Sequence, residues 1–314
     1  MAEPLPVALY RPPAEPTKGP GHWGVPSLWI VNAMGCPADQ QSRRHEAWAA
    51  GMALFALMTG HALMETARDA IFLSRLPATQ LPWAYLAIAA FALLAARANR
   101  GVTGRWDKSR VLATTMFILA AGTLGFWALF GLNGDWVAHA FYVWSGVVAT
   151  VAVVQLWLLL GEVFTLTEAK RLYAPIAAGG VLGAIAGSGL SELLLHWVQA
   201  RQLLLVSSVF LAGAGLLPRM CSRAEEPQRC PRTIPSPIRS LEQTPRAFVR
   251  KLLSVTLLST VALTTVDFLF KSEVARTVAA AELGSFFARF YLALNVLALG
   301  VQLLLSPRLL RTLG

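Results

Sequence analysis

Eight long apolar runs that contain no Asp, Glu, Lys or Arg constrain the fold of this chain more than any other feature. Short polar segments separate the runs, which cover residues 47–64, 76–96, 111–134, 136–161, 172–191, 202–218, 252–266 and 290–307. A helix needs about 20 apolar residues to cross a bilayer, and the shorter runs reach that length by continuing through single charged residues. The sequence therefore predicts an all-α integral membrane protein with eight spanning helices.

The composition agrees with this prediction, because 55% of the residues are hydrophobic and only 14% are charged. An ordinary soluble domain carries about 25% charged residues. The net charge of +10 would suggest a nucleic-acid partner in a soluble protein. Here the basic residues lie between the apolar runs, mostly in alternate loops, so we expect the lipid bilayer and not nucleic acid as the surrounding partner.

The distribution of basic residues also predicts an orientation. If the N-terminus is cytoplasmic, all but six of the 27 Lys and Arg residues lie on the cytoplasmic side; the six are Arg68, Arg75, Arg201, Lys271, Arg276 and Arg289. Basic loops remain in the cytoplasm, so this asymmetry predicts a cytoplasmic N-terminus. Helical spans fit a cell or inner membrane better than an outer membrane.

Two segments rich in Pro divide the chain. Residues 1–46 are predicted to form a flexible cytoplasmic tail, because their apolar patch is too short to cross a bilayer. Residues 218–247 read as a basic cytoplasmic linker between a six-helix bundle, 47–217, and two further helices, 248–314. This is the arrangement of a transporter with paired six-helix halves. Two complete halves of this kind contain four more helices than the eight predicted here. We therefore expect either a fragment or a product that needs a partner to supply the missing helices.

Charged residues continue the first apolar run on one helical face. His61, Glu65, Arg68 and Asp69 are spaced by three and four residues, and charges in an apolar helix usually face a cavity or one another. Glu65 and Arg68 either neutralise each other near the headgroups, or Arg68 faces an anionic substrate. A metal site at His61, Glu65 and Asp69 would need a second ligand motif, and the sequence has none.

The later spans carry further candidate residues. Asp267 and Lys271 are four residues apart and can pair along the seventh helix, either as a structural ion pair or as a cavity-facing acid and base. The depth of Asp267 in its apolar run favours the cavity. Glu162 ends the longest uncharged run, where it is either solvated or functional. Lys170 and Arg171 follow in a turn and read as cytoplasmic anchors.

A glycine repeat opens the fifth span. Gly179, Gly183 and Gly187 are four residues apart, which places them on one face of a helix. Small residues at this spacing let a neighbouring helix approach closely. The repeat therefore predicts a helix-packing surface.

Three strings in the sequence resemble a known family. They are E-A-K-R-L-Y at 168–173, preceded by the helix from Trp144, R-D-A-I-F-L at 68–73 and D-F-L-F-K at 267–271. They are similar to strings of the ATP/ADP translocases of plastids and intracellular bacteria, a nucleotide transporter family within the major facilitator superfamily. The resemblance covers about residues 47–314.

The resemblance implies a major facilitator-type helix bundle, here a six-helix N-terminal half and the first two helices of a second half. It also implies exchange of ATP against ADP by alternating access. Substrate-binding residues by position would be Arg68, Glu162, Asp267 and Lys271, with Glu65, Asp69, Lys170 and Arg171 as possible secondary contacts. The sequence has no P-loop, so we expect neither hydrolysis nor a cofactor, and no enzyme.

Coupling in such a carrier is expected to come from the substrates. An empty site with unpaired cations would reorient poorly in the membrane, so each crossing would require a bound anion. Two alternatives stay open. One is a proton-coupled carrier of another organic anion, with Glu162 or Asp267 as the protonated acid. The other is a truncated, transport-incompetent protein that acts as a membrane partner or regulator.

Overall fold

All the regular secondary structure in the described part of the chain is helical. The computed structural model describes residues 37–103, 108–132, 134–164, 166–221 and 246–304. Within these ranges there are eight α-helices and no strand. The helices are α1 Pro37–Arg75, α2 Leu81–Thr103, α3 Lys108–Leu129, α4 Asp135–Val163, α5 Leu166–Leu195, α6 Leu203–Cys221, α7 Arg246–Thr277 and α8 Leu283–Leu304. Single 3-10 turns lie at Ala78–Gln80, Phe130–Leu132 and Ala200–Gln202.

The predicted all-helical fold is confirmed, and the length and apolarity of the helices fit a multi-pass membrane protein. Seven of the described helices are long and apolar enough to cross a membrane. The run predicted at 202–218 falls in α6, but its apolar stretch, Ala200–Leu216, is shorter than the others. At 1.5 Å per residue that stretch is roughly 25 Å long, somewhat less than the hydrocarbon core. The described residues therefore show seven long spans instead of the predicted eight.

The glycine repeat of α5 packs directly on the backbone of α1. A Cβ atom added at Gly179 would lie 2.7 Å from the carbonyl oxygen of Gly51, and one at Gly187 would lie 2.5 Å from that of Thr59. The Thr59 hydroxyl also donates a hydrogen bond of 3.0 Å to the carbonyl oxygen of Gly183. The predicted packing role of the repeat is confirmed, because any side chain at these positions would separate the two helices.

Hydrogen bonds attach α6 and α8 to this pair, and the other helices pack around them. In the described part, α6 contacts α3, α4 contacts α2 and α3, and α8 contacts α5. The Asn295 side-chain amide of α8 donates a 3.1 Å hydrogen bond to the Ser188 hydroxyl of α5. The Ser207 hydroxyl of α6 donates a 2.7 Å bond to the carbonyl oxygen of Gly60 in α1. Because α5 holds both α1 and α8, the positions of these two helices are linked.

Alternate loops meet at one end of the bundle. The Arg75 guanidinium, at the end of α1, lies 5.4 Å from the ring centre of Phe130 in the α3–α4 loop. Arg201, in the α5–α6 loop, donates a 3.0 Å bond to the carbonyl oxygen of Trp127. The start of α8 packs on the end of α5. We call this end, with loops 76–80, 130–132, 196–202 and 278–282, the short-loop end.

Helix α7 joins the bundle through its final third only. Residues 250–263 are exposed on every side, whereas Lys271 and Val274 are buried. The last part of α7 contacts α2 and the turn Ala78–Gln80. The attachment of α7 therefore lies near the short-loop end, where its charged residues are.

The close approach of α1 and α5 generates a prediction for Gly183→Ala. The added methyl group would overlap the carbonyl oxygen of Phe55, so the helices must separate. We expect the free energy of unfolding to fall by about 1–3 kcal/mol, the usual cost of overpacking. Unfolding of the purified protein in mixed detergent micelles measures this change.

Gly213→Ala is the matched control, because it lies in α6 with no atom within 4 Å of an added Cβ. Alanine favours a helix over glycine by up to about 1 kcal/mol, so this variant should be unchanged or slightly more stable. Equal stability of the two variants would contradict close packing of α5 on α1.

Candidate functional site

The first part of the site is an ion-pair group at the end of α1. The Arg68 guanidinium contacts Asp69 through two atoms, with Nε 2.8 Å from Oδ1 and Nη2 2.9 Å from Oδ2. Nη2 also lies 3.3 Å from Oε1 of Glu65, one turn earlier. Asp69 is completely buried, and Arg68 is buried as well. Arg68 therefore pairs with Asp69 inside the bundle in addition to Glu65.

Helix α7 supplies a second cation to the same carboxylate. The Lys271 ammonium lies 3.2 Å from Oδ2 of Asp69 and 3.0 Å from Oδ2 of Asp267. Lys271 is 2% exposed, so this contact is shielded from the surroundings. The predicted pairing of Asp267 with Lys271 is present, and the pair extends to α1. Asp69 thus connects the two cations and joins α1 to α7.

Three tyrosines complete the hydrogen bonding. The Tyr85 hydroxyl donates a 2.5 Å bond to Oδ2 of Asp267, and the Tyr291 hydroxyl donates to Oδ2 of Asp69. Lys271 donates a 3.1 Å bond to the hydroxyl oxygen of Tyr142, whose ring centre lies 4.7 Å from the guanidinium carbon of Arg68. These groups form what we call the charge cluster: Glu65, Arg68, Asp69, Tyr85, Tyr142, Asp267, Lys271 and Tyr291. The charge cluster draws on α1, α2, α4, α7 and α8.

The charges of the cluster do not balance. When all groups are ionised, the carboxylates of Glu65, Asp69 and Asp267 face only two cations, which leaves one negative charge in excess. The cations are enclosed, with side-chain exposures of 10% for Arg68 and 3% for Lys271. Glu65 and Asp267 are exposed at 30% and 41%. The accessible edge of the cluster is therefore acidic, and the cations lie behind it.

The cluster lies within the helices, close to the short-loop end. Asp69 and Lys271 each precede the end of their helix by six residues, and Tyr142 lies seven residues into α4. At 1.5 Å per residue these positions are roughly 10 Å from the helix ends. Ionised groups at such depth in an apolar helix are costly, and the ion pairs and phenolic hydroxyls reduce that cost.

The structure brings together most of the predicted site residues. Arg68, Asp267 and Lys271 lie in the charge cluster, as do the two predicted secondary residues Glu65 and Asp69. Their role in binding a substrate stays a prediction. The side chains of the remaining candidates lie outside the described residues; these are Glu162, Lys170 and Arg171.

The backbone of Glu162 is described, and it shows that this residue does not join the others. Glu162 belongs to the last turn of α4, and it follows Tyr142 by twenty residues on the same helix. That spacing corresponds to roughly 30 Å along the helix axis, far more than a glutamate side chain can reach. Glu162 is therefore not part of the charge cluster.

The sequence analysis does not name the three tyrosines, and it lists Asp69 as a secondary contact whereas the structure places it at the centre of the cluster. The chain has five tyrosines, and three of them contribute hydroxyl groups to the cluster. A phenolic hydroxyl inside an apolar run needs a hydrogen-bond partner, so Tyr85, Tyr142 and Tyr291 were available as a signal. The central position of Asp69 could not be predicted from the sequence, because it depends on the approach of α7.

The charged and phenolic groups of the cluster contact one another through ion pairs and hydrogen bonds. Among the described residues there is no group of three or more His, Cys, Asp or Glu residues arranged to hold a metal ion. Carboxylates, a guanidinium, an ammonium and phenolic hydroxyls are groups that can in general form ion pairs, hydrogen bonds and proton-transfer steps.

The buried pairing of Lys271 predicts a large effect of Lys271→Met. The substitution keeps the volume of the side chain and leaves two carboxylates, Asp69 and Asp267, without their shared cation. We expect a loss of about 3–5 kcal/mol in the free energy of unfolding, because three carboxylates then face a single cation and the buried Asp69 keeps only Arg68. This change is measured by unfolding the protein in detergent and monitoring its tryptophan fluorescence.

Arg276→Met on the same helix is the control. Arg276 pairs with Glu273 at 3.5 Å, but both side chains are largely exposed. Exposed pairs contribute about 0–1 kcal/mol, so the free energy of unfolding of the control should stay close to that of the unchanged protein. If Lys271→Met were as stable as Arg276→Met, the buried pairing described here would be wrong.

Comparison with known proteins adds no assignment to this geometry. No family model, curated protein or solved structure matches the chain. The resemblance to the ATP/ADP translocases therefore stays a prediction, and the function has to be argued from the site.

Proposed function

We propose that this chain is a secondary transporter of the ATP:ADP antiporter-like type, which exchanges anionic nucleotides across a membrane by alternating access. The observation that carries the proposal is the charge cluster. Its buried ion pairs join α1, in the first six-helix set, to α7, which follows the basic linker. That connection fits a carrier built from two helix sets of the major facilitator type.

A purely structural role would not require this arrangement. Replacement of a buried ion pair by apolar residues of similar volume is often neutral or stabilising, so buried pairs are weak devices for stability. Ionisable residues inside membrane helices commonly mark the pathway of a substrate or an ion. Five ionisable side chains and three tyrosines from five helices are therefore better explained by a pathway than by packing.

The contacts around Asp69 favour an anionic substrate. Arg68 presents two nitrogen atoms to that carboxylate, and Lys271 approaches one of its oxygens at 3.2 Å. A guanidinium fork together with an ammonium is the combination that binds phosphate and carboxylate groups through charge-assisted hydrogen bonds. The strings that resemble those of the ATP/ADP translocases favour a nucleotide as the proposed anion.

Alternating access needs a contact that closes one end and can be broken. The charge cluster lies near the short-loop end and connects α1 with α7 and α8. Residues 250–263 of α7, away from that end, are exposed. In the proposed cycle a substrate enters from the side of these residues, and rearrangement of the cluster opens the short-loop end.

The pairing of the cations bears on the coupling of the proposed carrier. In the structure, Arg68 and Lys271 each contact two carboxylates. Wherever the cations are paired in this way, unpaired positive charge would not hinder reorientation, so obligatory exchange would need another physical origin.

The excess carboxylate supports a second candidate, a proton-coupled carrier of another organic anion. Asp267 is the most exposed acid of the cluster, with 41% of its side chain accessible, and it contacts both Lys271 and Tyr85. A proton on this carboxylate would balance the cluster. Transport of the anion would then depend on a pH gradient.

Counterflow in proteoliposomes tests the proposal. Purified protein should take up labelled ADP when the vesicles contain ATP, and uptake should be slow when they are empty. Arg68→Gln should reduce the rate about tenfold or more, because it removes charge-assisted hydrogen bonds worth about 1.5–3 kcal/mol. The exposed Arg276→Gln should keep the rate of the unchanged protein.

The other outcomes separate the alternatives. The proton-coupled carrier would be supported if uptake of an organic acid follows an imposed pH gradient and does not need internal nucleotide. The same uptake should be lost in Asp267→Asn. Absence of both activities in correctly folded protein would contradict the transport proposal and would favour a membrane partner without transport activity.

A further inference from the structure

We infer that Asp69 is an internal counter-ion, which occupies the place of the substrate's anionic group, and that an anion binds by displacing it. This inference rests on the proposed transport function and adds to it. It identifies a competing group within the protein, the class of ligand that replaces it and the residue that holds it in place.

The donors of the cluster converge on Asp69. Its Oδ1 accepts from Nε of Arg68, and its Oδ2 accepts from Nη2 of Arg68, from Lys271 and from the Tyr291 hydroxyl. Asp69 is completely buried, and these donors come from α1, α7 and α8. One carboxylate thus receives the set of contacts that a bound anion would need.

The cluster does not require Asp69 for charge balance. Without it, Arg68 retains Glu65 at 3.3 Å and Lys271 retains Asp267 at 3.0 Å, so two cations face two carboxylates. Each of the three carboxylates could be the excess charge, and Asp69 is the one on which the donors converge. An anion that takes over the contacts of Asp69 leaves the other two pairs in place.

The donor set defines the class of ligand. The replacing group must be compact, must carry at least one negative charge and must present two or more oxygen atoms to Arg68, Lys271 and Tyr291. A phosphate group meets these requirements, and its additional charge interacts with the two cations more strongly than a single carboxylate does. We therefore expect phosphate groups, free or at the end of a nucleotide, to bind better than monocarboxylates.

Competition of this kind also changes the expected coupling. When the substrate leaves, Asp69 returns to the cations, so the empty site does not expose unpaired charge. The affinity for the anion is lowered by the free energy needed to displace Asp69. Tyr291 is a positioning residue in this scheme, because its hydroxyl group stabilises Asp69 between the cations.

Binding measurements on the purified protein in detergent test the inference. The probes are ADP and inorganic phosphate, and isothermal titration calorimetry gives the dissociation constants. Asp69→Asn keeps the size of the side chain and an acceptor for Tyr291, and it should lower both constants about tenfold or more. Tyr291→Phe should lower them less, by about threefold, because Asp69 stays but is held less firmly.

Two controls remove the same groups outside the cluster. Glu273→Gln removes an exposed carboxylate of α7, and Tyr173→Phe removes a hydroxyl of α5 whose ring packs near Trp157 and Phe164. Both should bind the probes like the unchanged protein. The thermal unfolding midpoint of every variant confirms that it is folded, and if Asp69→Asn does not fold, Tyr291→Phe decides alone.

The outcomes distinguish this inference from the transport proposal. If folded Asp69→Asn binds both probes no more tightly than the unchanged protein, or binds neither, the inference is overturned. If the unchanged protein still exchanges nucleotides in that case, the transport proposal stands without it. Tighter binding by Asp69→Asn with no counterflow by the unchanged protein would support the anion site and contradict exchange.

Discussion

The contact of Asp69 with Arg68 and Lys271 determines how the helices of this protein can meet. Arg68 precedes Asp69 on α1, so that pair forms within one helix, but Lys271 reaches Asp69 only if the end of α7 lies against α1. Charges inside an apolar bundle are tolerated when they are paired and hydrogen bonded. The arrangement of α1 and α7 is therefore tied to the satisfaction of a single carboxylate.

The glycine repeat of α5 contributes to the same contact from a distance. It brings α5 against the backbone of α1, and α5 in turn holds α8 through the bond between Ser188 and Asn295. Because α8 carries Tyr291, this chain of contacts places a phenolic hydroxyl on Asp69. Close packing of the small residues of α5 therefore helps to position a hydrogen-bond donor for the buried carboxylate.

The paired state of the cations changes how a carrier of this type would work. A site with unpaired cations would attract an anion strongly but would hinder reorientation when empty. With Asp69 between Arg68 and Lys271, both cations are paired within the protein and the accessible edge of the cluster is acidic. Selectivity would then depend on which anion replaces a carboxylate best, and this favours groups with more charge and more acceptor oxygens.

The sequence by itself determined the helical membrane fold, the helix-packing role of the glycine repeat and the ability of Asp267 and Lys271 to pair along one helix. Each follows from local spacing: the length of an apolar run, a repeat of four and a separation of one turn. The meeting of Asp69 with Lys271, the three tyrosines and the distance of Glu162 from the cluster were decided only by the tertiary structure. They depend on which helices are neighbours and on which end of each helix meets the others, and periodicity within a single helix carries no information about either.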